Sequence, residues 1–409
     1  AGPADVERPV SLAAARSALG GGCLLAFLAV AGRLHVLVVR GRGATLLPLG
    51  PLSAVAAVLQ RVRADLDAAA LAVVPPPMRA VVLRSLAGGL GRLDEALWRP
   101  AASLAGDGPV LVVPTAALGA VPWTLLPGLR GRPVTVAPSA TSWLAARERP
   151  PAPGPPVFAV GPGVPRGETE VRAAAAAWST HPAAPPPAVG VPVDRATGVS
   201  VGPATGVSVD RATGMSAGPA AGVSVGSATG LSVGPATGVS VGPSAGPEAG
   251  GRGRDSDVPV LTGAAATGGA VLAAAARARL LHVAAHGVHD ADNPLFSSLQ
   301  LADGPLFGYD LPRAAALPSH VVLSACDLGL AEVRPGDEAL GMTSALLHGG
   351  VASVVAGVAR VGDEVAATAM VAYHHELAAG HTPAVALAAA LAGLDPDHPA
   401  PLVTFGAGW

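Results

Sequence analysis

Two stretches in the second half of the chain decide the fold: LLHVAAHGV at residues 280–288 and HVVLSACDLG at residues 320–329. Each is a short apolar run that ends in small and polar residues, which is typical of a buried strand followed by a turn. Similar runs, VFAVGPG at 157–163 and VASVVAGVARV at 351–361, alternate with helix-like segments. Strands that alternate with helices predict βαβ units, a mostly parallel sheet and helices on both of its faces. We therefore assign the chain to the α/β class.

The chain divides into two halves at a proline-rich stretch, RPPAPGPP at residues 149–156. The first half opens with three short apolar runs at residues 23–50, broken by Gly and Arg, which predict a β-meander. Helical patterns fill most of residues 51–100, and short β-type runs follow them. We predict an amino-terminal α/β half over residues 1–150 and a second α/β half of related type over residues 151–409.

A low-complexity insert interrupts the second half at about residues 185–256. Gly recurs there at every eighth position from 190 to 238, in units such as GVSVGPAT. Each unit offers only two or three Val-sized groups, too little apolar burial to offset about 1–2 kcal/mol of backbone entropy per residue. We therefore predict a disordered insertion. Its repeated G-x-S-x-G sequences are products of the repeat, because no helix follows any of them as a nucleophile elbow requires.

The composition excludes several classes of protein. The 409 residues carry a formal net charge of −2, which argues against a nucleic-acid partner because such proteins normally present a basic surface. Two cysteines, Cys23 and Cys326, rule out a disulfide scaffold and a thiolate-rich metal site. The chain has no lysine, so it has no P-loop. We expect neither a metal nor another cofactor.

One uncharged stretch is long enough to cross a membrane in principle, the 21 residues from Ala339 to Ala359. Gly349 and Gly350 divide it into a helix-like part and a β-rich part. A helix, a turn and a buried strand are therefore the better interpretation. No signal segment of the charged-then-apolar kind opens the sequence, and we expect a soluble, cytoplasmic protein with no membrane partner.

The two stretches quoted first end in residues that can react, His286 and Cys326. In open α/β sheets, reactive groups lie beyond the carboxyl ends of the strands. If the two strands are parallel neighbours, His286 and Cys326 face each other across one crevice. A thiol with a pKa of about 8.5 is mostly protonated at neutral pH, and a nearby imidazole can take its proton and later return one to the leaving group. Gly287 has no Cβ, so its N–H can approach a developing oxyanion, with the Cys326 N–H as the second donor.

Each candidate also has a purely structural interpretation. A single Cys at the end of a buried strand, such as Cys326, is more often a small core residue than a nucleophile. His282 lies in the middle of its strand, where we expect a hydrogen-bonded core histidine. We expect His374, His375 and His381, on or just after a long helix, to form a solvated or capping face, since nothing completes a zinc spacing. Cys23 lies in the meander and is expected to serve packing.

The residues at 282–304, HVAAHGVHDADNPLFSSLQLADG, and at 321–364, VVLSACDLGLAEVRPGDEALGMTSALLHGGVASVVAGVARVGDE, strongly resemble the CHAT family, caspase-like proteins often fused to tetratricopeptide repeats. The segment LVVPTAALGAVPWTLLPG at 111–128 resembles the amino-terminal half of that family. The resemblance covers essentially the whole chain outside the insert. It implies a caspase/separase-type sandwich in which the sheet lies between helices, with residues 151–409 as the caspase-like catalytic half. It also implies a cysteine peptidase dyad with His286 as general base, Cys326 as nucleophile and Gly287 in the oxyanion hole.

The chain departs from this pattern at two positions. Leu328 stands where the family often has Thr, and Ser324 stands where caspases carry a Gln that helps to hold an acidic side chain. A caspase-like preference for Asp is therefore not implied. Asp327 and Asp290 are candidates for binding a basic residue before the scissile bond; the alternative is that they are ordinary loop and turn carboxylates.

The resemblance implies that the partners are a protein or peptide substrate and an activating protein or tetratricopeptide-repeat module, although the chain contains no such repeats. Three functions fit these observations. The first is a cysteine endopeptidase that cleaves peptide bonds through a thioester acyl-enzyme. The second is a catalytically idle module that acts as a scaffold for protein interactions, since a fold does not guarantee activity. The third is another acyl transfer, such as transpeptidation, through the same thioester.

Overall fold

A large twisted sheet organises the chain. The computed structural model describes residues 9–71, 74–180, 258–288, 296–314, 316–324 and 337–409. The repeat insert expected at about residues 185–256 lies outside these described residues. All described residues belong to one compact unit.

Fourteen strands occur in the described residues. They are β1 (Cys23–Val30), β2 (Arg33–Arg40), β3 (Gly43–Pro51), β4 (Val110–Val113), β5 (Val134–Val136), β6 (Pro156–Val160), β7 (Val260–Leu261), β8 (Leu280–Ala284), β9 (Gly287–Val288), β10 (Ser298–Leu301), β11 (Gly304–Phe307), β12 (His320–Ser324), β13 (Ser353–Gly357) and β14 (Leu402–Gly406). The α-helices of the same residues are α1 (Leu12–Leu19), α2 (Leu52–Ala69), α3 (Pro76–Leu93), α4 (Arg99–Ala105), α5 (Ala140–Glu148), α6 (Gly167–Thr180), α7 (Gly268–Ala275), α8 (Asp337–His348), α9 (Asp363–Ala378) and α10 (Pro383–Ala392).

The large sheet has eleven strands in the order β3-β2-β1-β4-β5-β14-β13-β12-β8-β6-β7. Its pairings are parallel except within β1–β2–β3 and between β13 and β14, which confirms the mostly parallel sheet. β5 and β14 pair in parallel, with Thr404 opposite Thr135, so strands from before and after residue 150 share one sheet. The division at that residue stays a prediction.

The predicted meander is confirmed as three antiparallel strands, β1 to β3. Val30 pairs with Arg33, so Ala31 and Gly32 alone form the first turn, with φ values of 48° and 73°. A two-residue hairpin turn of this hand matches the twist of the strands that it joins. Cys23 begins β1 as a free, fully buried thiol whose pKa is raised to about 11 by burial, which confirms its packing role.

Helices cover both faces of the sheet, as predicted. Each helix buries one apolar face: on α2 the buried positions follow a helical spacing, Val55, Leu59, Val62 and Leu66. One core packs α2, α3, α4, α7 and α8 against one face of the sheet. The remaining helices, α1, α5, α6, α9 and α10, pack against the opposite face.

The segment from Ala339 to Ala359 is a helix, a turn and a buried strand, as predicted: α8 ends at His348, Gly349 and Gly350 follow, and β13 begins at Ser353. Within the described ranges, none of the helices combines the length and the apolar composition that crossing a bilayer requires. The cytoplasmic location stays a prediction.

Candidate active site

The arrangement on which the proposed dyad depends is present in the sheet. β8 and β12 are neighbours and run parallel, with Leu280 opposite His320 and Ala284 opposite Ser324. The ladder continues past the strand ends, because the Ala285 N–H donates to the Ser324 carbonyl at 3.3 Å. The chain therefore leaves both strands from paired positions at the same carboxyl edge of the sheet.

His286 lies two residues beyond the end of β8, at this edge, and is partly buried. Its carbonyl oxygen accepts a hydrogen bond from the Gln300 N–H at 2.8 Å, which ties the backbone at His286 to β10. The loop that follows β6 packs against the ring, since a Cβ placed on Gly163 would lie 3.2 Å from His286 Nε2. The position of the ring is thus set by β8, β10 and the β6 loop together.

Gly287 begins β9 in a small three-stranded sheet of order β11-β10-β9. It stands opposite Leu299, and the hydrogen bond from Gln300 N–H to the His286 carbonyl flanks that pair. In an antiparallel ladder, this pattern makes Gly287 and Leu299 a non-hydrogen-bonded pair. The Gly287 N–H therefore points away from β10 and is not used by the ladder.

The other predicted site residues, Cys326, Asp327 and Asp290, lie outside the described residues, as does Leu328. Ser324, the last residue of β12, is described and is buried. The structure thus places His286 and Gly287 next to each other at the end of β8, and it places the end of β12 beside them.

Replacing Gly163 by alanine tests the contact with His286. Gly163 has a φ of 77°, and the new Cβ would crowd His286 Nε2, so we expect at least a tenfold lower rate of any reaction that depends on this ring. Gly131→Ala is the matched control, because Gly131 has a φ of 71° and nothing within 4 Å of the position of its Cβ. Both variants carry a similar backbone cost, and both unfolding midpoints are measured alongside the rates. Equal rates for the two variants would contradict the contact.

His282, four residues before His286, is at the centre of a chain of hydrogen-bonded, buried polar side chains. This polar chain lies on the face of the sheet that α6 and α9 cover. His282, in the middle of β8, is fully buried and bonds through Nε2 to Glu170 Oε1 at 3.0 Å and through Nδ1 to His374 Nε2 at 2.8 Å. Trp178 Nε1 lies 3.1 Å from His374 Nδ1. The expectation of a hydrogen-bonded core histidine at position 282 is confirmed.

The expectation that His374 belongs to a solvated face is wrong. His374 is fully buried, because the α9 face that includes Met370, Tyr373 and His374 packs against the sheet. His375 and His381 are exposed, as expected. The sequence signal that could have revealed His374 is its spacing from Met370 and Tyr373 on the apolar face of the helix.

The direction of the hydrogen bonds in this polar chain follows from its ends. An indole N–H can only donate, so Trp178 donates to Nδ1 of His374. His374 then carries its proton on Nε2 and donates to Nδ1 of His282, which in turn donates from Nε2 to the Glu170 carboxylate. Burial, with the neighbouring histidines, lowers the pKa of His374 well below its usual value, consistent with a neutral ring. These hydrogen bonds join α6, β8 and α9 through four side chains.

A second group of hydrogen-bonded, buried residues lies beside this polar chain, around His320 at the start of β12. His320 Nδ1 is 3.1 Å from the Ser353 carbonyl, and the Tyr373 hydroxyl is 2.8 Å from His320 Nε2. Burial lowers the pKa of His320 to about 4 and raises the pKa of Tyr373 well above its usual value. A neutral His320 can therefore donate to the carbonyl and accept from the tyrosine hydroxyl. This set holds β12, β13 and α9 together.

Comparison with solved structures identifies the fold. Two crystal structures of the Saccharomyces cerevisiae separase–securin complex, at 3.0 Å and 2.6 Å, align with 96% of this chain at TM-scores of 0.57 and 0.54. Sequence identity is 9% and 8%, and the chain spans 30% of the length of the separase chain that it matches. These likenesses show a caspase-like peptidase fold.

Comparison by sequence gives the family. No curated protein matches the chain. The profile of the CHAT domain matches residues 89–400, which extend from α3 to just before β14 and include β8, β12 and the small sheet. The match covers most of the chain and agrees with the caspase-like fold. The chain therefore belongs to the CHAT domain family.

Proposed function

We propose that this chain is a cysteine endopeptidase that uses Cys326 as nucleophile and His286 as general base. The observation that carries the proposal is the parallel register of β8 and β12, in which Ala284 lies opposite Ser324. His286 and Cys326 each follow one of these two residues by two positions. Adjacent strands lie about 4.8 Å apart and each peptide unit advances the chain by no more than about 3.8 Å. The two side chains are thus tethered to neighbouring points on one edge.

The reaction follows from these two groups. His286 takes the proton from the Cys326 thiol, and the thiolate attacks the carbonyl carbon of a peptide bond, forming a C–S bond. When the C–N bond breaks, the imidazolium of His286 gives its proton to the leaving amine. A water molecule, deprotonated by His286, then attacks the thioester. The acyl group leaves as a carboxylic acid, and the proton returns to the Cys326 sulfur.

Gly287 supplies an oxyanion donor in this proposal. Its N–H points away from β10, and its position directly after His286 puts that N–H at the edge where the carbonyl would be attacked. A backbone donor of this kind stabilises the charge that develops on the carbonyl oxygen and is worth roughly 10²–10³-fold in rate. The expected second donor is the N–H of Cys326.

The proposed substrate is a protein or peptide. The separase of the matched structures is in a complex with securin, which supports protein partners for this fold. Asp327 and Asp290 are the residues we propose to bind a basic side chain before the scissile bond. Sequencing the new peptide termini that the enzyme produces tests this preference: termini that lack Arg or Lys at that position would contradict it.

Alkylation separates the proposed nucleophile from the other thiol. Cys23 is buried with a pKa raised to about 11, so it should react very slowly with iodoacetamide. We expect Cys326 to be labelled at least tenfold faster at neutral pH, as measured by peptide mass spectrometry of the folded protein. Labelling of Cys23 at the same rate would remove the support for an activated Cys326.

Activity is tested by incubating the wild type and Cys326→Ala with a cell lysate and reading new peptide termini by mass spectrometry. New termini with the wild type alone support the endopeptidase. Equal cleavage by both forms would show that Cys326 is not the nucleophile. No new termini from a folded wild type would favour the interaction scaffold, and new peptide bonds between substrates would show acyl transfer to an amine.

A further inference from the structure

A cavity of about 330 Å³ opens at the sheet edge opposite His286. Leu280 and His320, the first residues of β8 and β12, line it, so the two strands that end at the proposed dyad begin here. Its other walls come from the segment before β6 and from the stretch between the end of α9 and the start of α10. They are mostly apolar and include Pro151, Pro153, Leu377 and Pro383.

One cation lies in this apolar setting. The Arg279 guanidinium carbon sits 4.7 Å from the ring centroid of Trp178, and both residues line the cavity. The Arg279 Nε is buried and has no hydrogen-bond partner among the described residues. Burial alone lowers the pKa of Arg279 from its usual value, with no charged neighbour contributing.

The other groups that face the cavity do not neutralise this cation. None of the described lining residues is acidic. His320 is bonded to Tyr373 and Ser353, and His381 pairs with Glu376 at 2.7 Å. A buried donor that lacks an acceptor costs free energy, more so when it is charged, and a ligand that supplies the acceptor recovers that cost.

We propose that this cavity binds a small amphipathic organic anion, whose apolar body packs against the prolines, Leu377 and the Trp178 ring while its carboxylate, sulfonate or phosphate pairs with Arg279. The cavity has the volume of a small-molecule site, which typically starts at about 300 Å³. Mostly apolar walls with one fixed positive charge suit a ligand that has an apolar body and one negatively charged group. The inference does not depend on the proposed peptidase activity.

The probe for this site is anilinonaphthalene sulfonate, an aromatic anion whose fluorescence rises in apolar surroundings. Phenylnaphthylamine has nearly the same aromatic body without the sulfonate and serves as the neutral comparison. We expect the full chain to bind one molecule of the anion, measured by fluorescence and titration calorimetry. In Arg279→Gln, we expect the dissociation constant for the anion to rise about tenfold or more, and that for the neutral compound to stay within about twofold.

Two further variants make the result decisive. Arg277→Gln removes an exposed arginine that does not line the cavity, so it should bind both compounds as the wild type does. Leu377→Trp fills the cavity and should weaken both compounds, which keeps the test valid if Arg279→Gln does not fold. Equal binding of the anion by wild type, Arg279→Gln and Leu377→Trp would overturn the proposal, as would an equal loss in Arg277→Gln.

Discussion

His286→Ala is expected to lower the rate of peptide cleavage by roughly 10²–10⁴-fold while the unfolding midpoint stays close to that of the wild type. The ring lies at the end of β8 and is only partly buried, so its removal leaves no large cavity in the core. In the proposed mechanism the imidazole accepts the thiol proton and gives a proton to the leaving amine, so both transfers are lost with the ring. The measurement is the cleavage rate of a peptide substrate taken from the lysate experiment, together with a denaturation curve.

The control for this variant is His348→Ala, because His348 is exposed on the last turn of α8, where its Nδ1 lies 2.8 Å from the Ser344 carbonyl oxygen. It should cleave at the wild-type rate. If His286 and Cys326 act as a unit, the double variant His286→Ala/Cys326→Ala loses no more activity than either single variant, since groups that act together are strongly non-additive. Full activity in His286→Ala would exclude it as the base.

His282→Leu is expected to destabilise the protein by about 3–5 kcal/mol. The substitution removes the donor to the Glu170 carboxylate and the acceptor for the His374 N–H, and all three side chains are at least 95% buried. A buried carboxylate without its partner is costly because no water replaces the lost hydrogen bond. The free energy of unfolding from urea titration at neutral pH measures this effect.

A double-mutant cycle identifies the cause of that loss. Glu170→Leu/His282→Leu leaves no uncompensated carboxylate, so it should be more stable than His282→Leu alone. His375→Leu, at the exposed neighbour of His374, should change stability by no more than about 0.5 kcal/mol. If the two single effects simply add in the double variant, the pair is not coupled and the proposed chain of hydrogen bonds is wrong.

Local patterns were sufficient to predict most of the fold. The apolar runs around His282 and Val322 predicted buried strands, and the glycines at 349 and 350 divided a membrane-length stretch into α8 and β13. These predictions succeeded because the periodicity of apolar residues and the position of turn residues are properties of short segments. The same reasoning identified His286 as a residue that follows a strand.

The buried histidines show where local patterns were insufficient. His374 looked like a solvent-facing residue because its polarity is visible in the sequence, whereas its partners come from α6 and β8, far away along the chain. The Arg279 guanidinium likewise lies over Trp178 of α6, which is distant from it along the chain. A polar side chain is buried when distant elements supply its hydrogen bonds, and spacing within one segment does not report this.

By itself, the amino-acid sequence determined the α/β class, the strand that precedes His286, the helices around it and the family resemblance. Only the tertiary structure decided that β8 and β12 are parallel neighbours, that the Gly287 N–H is left unused by its ladder, and that Glu170, His282 and His374 form one buried chain. The physical reason is the range of the interactions. Helix and strand formation depend on neighbours in sequence, whereas strand order and buried hydrogen bonds depend on residues that are brought together only when the chain folds.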